Sequence, residues 1–171
     1  MTFGYPVIDI VPATRDDTPL ILQFIKKLAE YEKLAHEVVA TEDILRQTLF
    51  DGPRKYAEVI IAYCQRDADG PRIPVGFALF FHNFSTFLGR PGLYLEDLFI
   101  DPEFRGLGIG KKLLTQLAVI AKERQCGRYE WVVLDWNKPS REFYESLGAV
   151  PHAEWIIHRV EGASLDTLAN M

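Results

Sequence analysis

Cysteine is scarce in this chain of 171 residues: Cys64 and Cys126 stand far apart and belong to no Cys-x-x-Cys pair. That excludes a disulfide framework and a thiolate zinc site, and makes a reducing cytoplasm the expected location. Histidine is nearly as thin. His36, His82, His152 and His158 show no metal-ligand spacing, so no metal is expected. Positive charge is not in excess: 19 Lys and Arg face 24 Asp and Glu, a net charge of -5, which leaves no basic footprint for nucleic acid. Long apolar runs are missing too. The longest, VIIAYC (59–64), is only strand-length, and MTFGYPVIDIVPATRDD has no charged segment leading into an apolar stretch, so neither a membrane span nor an export signal is expected. No repeat, low-complexity stretch or linker divides the sequence, which predicts one domain over 1–171.

What is present suits a domain with a real core: 48% of residues are hydrophobic and 25% charged. VIDIV (7–11) reads as a first strand. Thr14 or Thr18 then caps a helix in which Leu20, Ile21, Phe24, Ile25, Leu28, Tyr31 and Leu34 recur at helical spacing. TEDILRQTLF (41–50) predicts a second helix capped by Thr41 and stopped by Asp51-Gly52-Pro53. YAEVIIAYC (56–64) and PVGFALFFHNF (74–84), separated by a turn at Asp69-Gly70-Pro71, predict an antiparallel hairpin. GLYLEDLFI (92–100) is a further strand, and 110–126 a helix with Leu113, Leu114, Leu117, Ile120 and Ala121 inward and Gly127 as its stop. YEWVVLDW (129–136) predicts a buried strand, Pro139 opens a short helix ending at Gly148, and two weaker strands and a helical turn follow. The order βααβββαβαββ is an α/β plan with a mixed sheet.

Between the strand at 92–100 and the next helix lies RGLGIG (105–110). A strand, a glycine-rich turn and a helix N-terminus gather free backbone N–H groups around one small volume that suits an anion. Gly106, Gly108 and Gly110 lack the β-carbons that would hold a diphosphate away, and Arg105, Lys111 and Lys112 add charge. Counting removes two rivals. A P-loop needs four residues between its glycines and Ser or Thr after its Lys, whereas Gly106 and Gly110 enclose three and Lys111 precedes Lys112; the dinucleotide fingerprint needs G-x-G-x-x-G.

R-x-x-G-x-G after an acidic strand resembles the pyrophosphate-binding signature of the GNAT acetyltransferases. YLEDLFI, LDWNKPSREFYESLGA and the N-terminal LAEYEKL extend the likeness over about residues 12 to 155, and are similar to the spermidine/spermine N1-acetyltransferase branch. FSTF (84–87) and VLDWN (133–137) look closer to the thialysine N-epsilon-acetyltransferases. The resemblance implies the GNAT acyl-CoA N-acyltransferase fold, a mixed twisted sheet flanked by helices, with acetyl-CoA as co-substrate, a small-molecule amine as acceptor and a homodimer as the assembly. It places the backbone of Leu98, Phe99 and Ile100 against the thioester and pantetheine. Arg105, Gly106, Leu107, Gly108, Ile109, Gly110 and Lys111 would hold the pyrophosphate, and Asn137, Lys138, Pro139 and Ser140 the other wall of the cleft.

An alkyl ammonium with pKa near ~10.4 must lose a proton before it can attack a thioester. Glu96 is assigned that task, through water. Simple alternation puts Tyr94, Glu96 and Leu98 on one face of the strand and Leu95, Asp97 and Phe99 on the other, and two adjacent acids on an apolar strand are costly to bury without a purpose. Tyr144, one helical turn after Ser140, resembles the family's general acid for the coenzyme A thiolate. A phenol near ~10 is a weaker acid than a thiol near ~8.5, so full transfer would be uphill by roughly 2 kcal/mol and a hydrogen bond to the developing thiolate is the sounder role.

Tyr31 and Glu32 match positions that contact the amine in the relatives. Ser85 and Thr86 occupy the loop where a polyamine enzyme carries an Asp, which favours thialysine or a lysine-like amine over a long polycation. A polyamine or diamine acceptor is the alternative, followed by a non-catalytic acetyl-CoA-binding module and by a protein or peptide acceptor. Glu154 and Trp155 are candidates for reaching a partner subunit.

Overall fold

The computed structural model describes residues 6–67 and 70–171; Asp69 of the expected turn lies outside them. The chain forms two compact units, one up to Val132 and one from Val133 to Met171.

The first unit is built on a five-stranded sheet in the order β1-β2-β3-β4-β5. β1 (Val7–Pro12), β2 (Glu58–Gln65), β3 (Ile73–Ser85) and β4 (Arg90–Ile100) are antiparallel neighbours, and β5 (Arg128–Trp131) runs parallel to β4. α1 (Thr18–Tyr31) and α2 (Glu42–Arg46) lie between β1 and β2, and α3 (Ile109–Glu123) crosses from β4 to β5. Thr14 opens the first helical stretch: its N–H and hydroxyl donate to Asp17 at 2.7 and 2.8 Å. Thr41 caps α2 by accepting from the N–H of Ile44 at 3.3 Å. The last turn of that helix widens to a π-helix over Gln47–Asp51, and Arg15 pairs with Asp51 at 2.8 Å.

Register shows which layer covers which face. Ile61, Phe77 and Phe99 oppose one another across β2, β3 and β4, and with Ile21, Leu22, Phe24, Leu45 and Leu49 they form the core beneath α1 and α2. Phe24 stacks on Phe77 at 5.5 Å between centroids. The alternate residues Ile60, Ala78, Phe80 and Leu95 are equally buried and face α3, whose Leu113, Leu114 and Leu117 are inward. Arg124, just past α3, reaches Glu58 and stacks over Phe80 on that same face.

Several expected boundaries move. α1 ends at Tyr31, with Lys33 in the left-handed region at φ 63°, so Leu34 falls outside the helix. The stop of α3 is Gln125 at φ 56°, not Gly127; a β-carbon added at Gly127 would meet Leu88 Cδ1 at 2.8 Å, the end of an exposed side chain that can turn aside. β5 covers four residues rather than eight, and Val132 and Val133 are exposed, since a run of apolar residues does not distinguish a buried strand from a segment leaving the sheet.

The second unit holds α4 (Lys138–Ser146) and α5 (Ala163–Ala169). Asn137 caps α4 by accepting from the N–H of Ser140 at 3.4 Å, and Gly148 follows at φ 91°. The two weak strands expected after α4 are absent: residues 149–161 form no strand, and the element order ends β4-α3-β5-α4-α5.

Candidate active site

The end of β4 carries a β-bulge that sequence alternation did not show. Phe80 opposes Leu95 but Leu79 opposes Asp97, so Glu96 is an extra residue with no partner on β3. One inserted residue reverses the alternation beyond it. Tyr94 therefore shares a face with Asp97 and Phe99, toward α1, while Leu95 shares the other with Leu98 and Ile100, which corrects the simple grouping. Ring contacts agree: Tyr94 lies 4.9 Å from Phe81, and Phe99 lies 6.1 Å from Phe24.

The two acids consequently meet different surroundings. Glu96 is exposed at the bulge, and Asp97 is half-buried. Loss of hydration, then the charges of Glu96 and Glu32, push the Asp97 carboxyl up to about 7. Glu32, at the end of α1, is itself raised by burial. The α1 terminus thus holds Glu32 near enough to the bulge for its charge to act on Asp97.

The glycine-rich turn lies immediately beyond. Gly106 and Gly108 sit at φ 80° and 76°, with nothing within 4 Å of the place a β-carbon would occupy. Gly108 is the N-cap of α3, and the first helical bond runs from Lys112 N–H to Gly108 carbonyl at 3.0 Å. The N–H groups of Ile109, Gly110 and Lys111 therefore have no acceptor within the helix. Leu107 is exposed on the turn, while Ile109 is buried and anchors it.

Arg105 does something the motif alone did not show. Its Nε donates to the Ile100 carbonyl at 3.1 Å, and its guanidinium lies 4.8 Å from the Tyr31 ring centroid and 5.9 Å from that of Phe99. With Lys27 paired to Asp101 at 2.7 Å, two cations tie the end of α1 to the end of β4. Arg105→Lys keeps the charge but loses the planar stacking group, and should lower stability by about 1 kcal/mol in urea unfolding.

β4 pairs with β5 only from Gly92 to Leu95, and no described strand lies along that edge of 96–100. The register with β3 therefore turns the N–H groups of Leu98 and Ile100 to that edge, while Phe99 pairs with Phe77 and the Ile100 carbonyl accepts from Arg105. An extended amide chain at this edge, with a diphosphate at the α3 N-terminus, is what the donors present would accommodate, so the residues fit acetyl-CoA.

Ser85 and Thr86 lie at the other end of β3, Ser85 as its last residue and Thr86 in the turn that follows. Ser85 is buried at the β3–β4 turn, where its hydroxyl accepts from Leu88 N–H at 3.3 Å. It is six residues along β3 from Leu79, or about 20 Å from the level of Asp97 at strand rise. In the second unit, Asn137 is buried and caps α4 beside Lys138 and Pro139, and half-buried Tyr144 lies with its ring 5.6 Å from Phe143. A separate cleft of about 450 Å³, lined by Leu49, Phe50, Tyr56, Val59, Phe81 and His82 among others, contains none of the expected site residues. Among the described residues no three His, Cys, Asp or Glu side chains converge as a metal site would need, and no helix is long and apolar enough to cross a membrane.

Residues 25–149 match the model of the acetyltransferase (GNAT) family. The chain is similar to the thialysine N-epsilon-acetyltransferase of Bos taurus, with 37% identity over 162 residues covering 92% of this chain and 94% of that protein. It is 33% identical to the L-ornithine N5-acetyltransferase of Arabidopsis thaliana, covering 91% of this chain and 85% of the other. Its structure resembles the integron cassette protein VCH_CASS6 of V. cholerae at a TM-score of 0.77 and 26% identity, covering 96% and 98% of the two chains. The glycine-rich turn at the α3 N-terminus, the open edge of β4 and these matches agree: the chain belongs to the GNAT family and is an acetyltransferase, of the kind that uses acetyl-CoA to acetylate amines.

Proposed function

We propose that this enzyme acetylates the side-chain amine of a lysine-like amino acid, with thialysine as the leading acceptor, by direct attack in a ternary complex. The observation that carries the reading is the pair of acids Glu96 and Asp97 at the bulged end of β4, with Glu32 of α1 near enough for its charge to act on Asp97, acidic surroundings suited to an ammonium. Two relatives named for amino acids with a terminal side-chain amine, thialysine and ornithine, support the choice of acceptor.

Acetyl-CoA supplies an activated acetyl thioester. Gly106 to Lys111 would hold its diphosphate through backbone N–H groups, with Lys111 and Lys112 adding charge. Leu98 to Ile100 would receive its amide chain and orient the carbonyl at the end of β4. Tyr31, Glu32 and the acids of the bulge would seat the ammonium, and one of those acids would take its proton. Tyr144, as hydrogen-bond donor to sulfur, and Asn137 to Ser140, as coenzyme contacts, keep within the second unit the roles that the family resemblance implies. Ser85, with no charge, spares an acceptor carboxylate the repulsion an Asp would impose; its distance along β3 makes any such effect indirect or dependent on a second subunit. A cytoplasmic homodimer belongs to the same proposal, and exposed Trp155, Ile156 and Ile157 are apolar surface suited to a partner.

The test is turnover with acetyl-CoA against thialysine, ornithine, lysine, putrescine and spermidine. Thialysine and ornithine should lead; spermidine far ahead of both would move the enzyme to the polyamine class. Coenzyme A alone, at a hundred times its Kd, should stabilise the protein by about 2.7 kcal/mol, read as a rise in Tm. Stabilisation without turnover of any amine would indicate a binding module.

A further inference from the structure

We propose that Arg128 and Glu130 of β5, held by Asn83 of β3, recognise the zwitterionic head of the acceptor, the guanidinium taking its α-carboxylate and the Glu130 carboxylate its α-ammonium. This rests on the amino-acid reading above and names the residues that separate an amino acid from a plain diamine.

Register places these side chains. Tyr94 opposes Phe81 on β3 and Glu130 on β5, and Gly92 opposes Asn83 and Arg128. Side chains two apart on a strand share a face, so Asn83, Glu130 and Arg128 lie on the α1 face with Tyr94 and Asp97. Contacts across the strands agree. The Asn83 amide donates to Glu130 at 2.5 Å, Arg128 Nε lies 3.2 Å from the same carboxylate oxygen, and Arg128 Nη2 donates to the Phe84 carbonyl at 3.3 Å. Gly92 makes the crossing possible, since a β-carbon there would lie 2.2 Å from the Asn83 amide oxygen and 3.0 Å from Arg128 Cγ. The Arg128 and Glu130 side chains are 40% and 39% exposed, so both are open to a ligand.

Spacing along the sheet matches the length of the acceptor. Phe81, at the level of Glu130, is two residues along β3 from Leu79, at the level of Asp97, or about 7 Å at strand rise. Five bonds join the side-chain nitrogen of lysine or thialysine to its α-carbon, about 6 Å when extended. An acceptor whose ammonium sits at the bulge acids therefore brings its α-carbon to the level of Glu130, where the Tyr94 and Phe81 rings lie 4.9 Å apart. Its carboxylate then meets Arg128, one level further on.

Charge completes the selection. A guanidinium carries five N–H donors in a planar fork, more than the contacts above occupy, and receives a carboxylate bidentately. Exposed ion pairs are weakly held, so Glu130 loses little when an α-ammonium shares it. A diamine brings a second cation to this place and no carboxylate, so Glu130 attracts it and Arg128 repels it.

The test compares acceptors that differ only by the carboxylate: thialysine against bis(2-aminoethyl) sulfide, and ornithine against putrescine. The wild type should favour the amino acid of each pair by about tenfold or more in kcat/KM. Arg128→Gln should shift that ratio about tenfold toward the diamine, chiefly through the amino-acid KM, and Arg128→Lys, which keeps the charge without the fork, should retain part of the preference. A merely structural role would lower all activities and leave the ratio unmoved; that result, or a wild type indifferent to the carboxylate, overturns the proposal. Glu130→Gln should raise KM for both members of each pair, and unchanged values would overturn the role of Glu130. If no amine is turned over, the function proposed above fails, and calorimetric titration of ornithine into the coenzyme A complex decides the head site separately. Binding about tenfold tighter to the wild type than to Arg128→Gln supports it, and equal binding overturns it.

Discussion

Replacing Gly76 with alanine is expected to lower the Tm by about 6 °C or more and to weaken coenzyme A binding together with it. Gly76 opposes Ile100, and an added β-carbon would lie 2.5 Å from the Phe99 carbonyl oxygen, 2.6 Å from Ile100 Cδ1 and 3.2 Å from Ile100 Cα. A flexible side chain could turn aside, but the carbonyl and Cα belong to the backbone of β4. Overpacking of this kind costs typically 1–3 kcal/mol, and more where backbone must move. At roughly 2–4 °C per kcal/mol for a chain of this size, a loss of about 3 kcal/mol gives the stated shift. The strand that must move is the one whose last residues are read as the coenzyme edge, so calorimetric unfolding and titration with coenzyme A should fail together. An unchanged Tm would show that β4 yields freely; an unchanged affinity would show that Leu98 to Ile100 do not receive the ligand.

Asp97→Asn should do the opposite to stability, in a way that depends on pH. The folded carboxyl, at about 7, is raised above the usual 3.8, so between those values the folded state binds the extra proton. Stability of the wild type therefore falls as pH rises from about 4 to about 7, and the loss is complete above that. Asparagine has no charge to desolvate. The variant should match the wild type near pH 4 and exceed it by about 2 kcal/mol at pH 8.5, after allowance for partial solvent screening, which is a gain of roughly 4–8 °C in Tm. A variant less stable at pH 8.5 would mean that ionised Asp97 has favourable partners and that its strain is illusory.

Much of the architecture was legible because its signals are local. Thr14 and Thr41 announce helix starts through short side-chain bonds, Gly148 marks the end of α4, and the alternation of β2 and β3 follows from one face meeting α1 and the other α3. RGLGIG was legible for the same reason: left-handed backbone at Gly106 and Gly108 and a helix N-terminus are properties of six consecutive residues. The short β5 and the strandless stretch after α4 were not legible, because VVLDW and EWIIH carry apolar residues whose burial depends on neighbours remote in sequence.

From sequence alone come the glycine turn, the identity of the acids beside it and the resemblance that named the family, since each is written in contiguous residues. Tertiary structure decided which way those acids face. Whether Glu96 or Asp97 faces α1 depends on one unpaired residue in the register with β3, and whether Arg105 points to a ligand or to Tyr31 depends on where α1 ends. Register and helix endpoints are settled by contacts between distant segments, and a shift of a single residue reverses which side chain meets water.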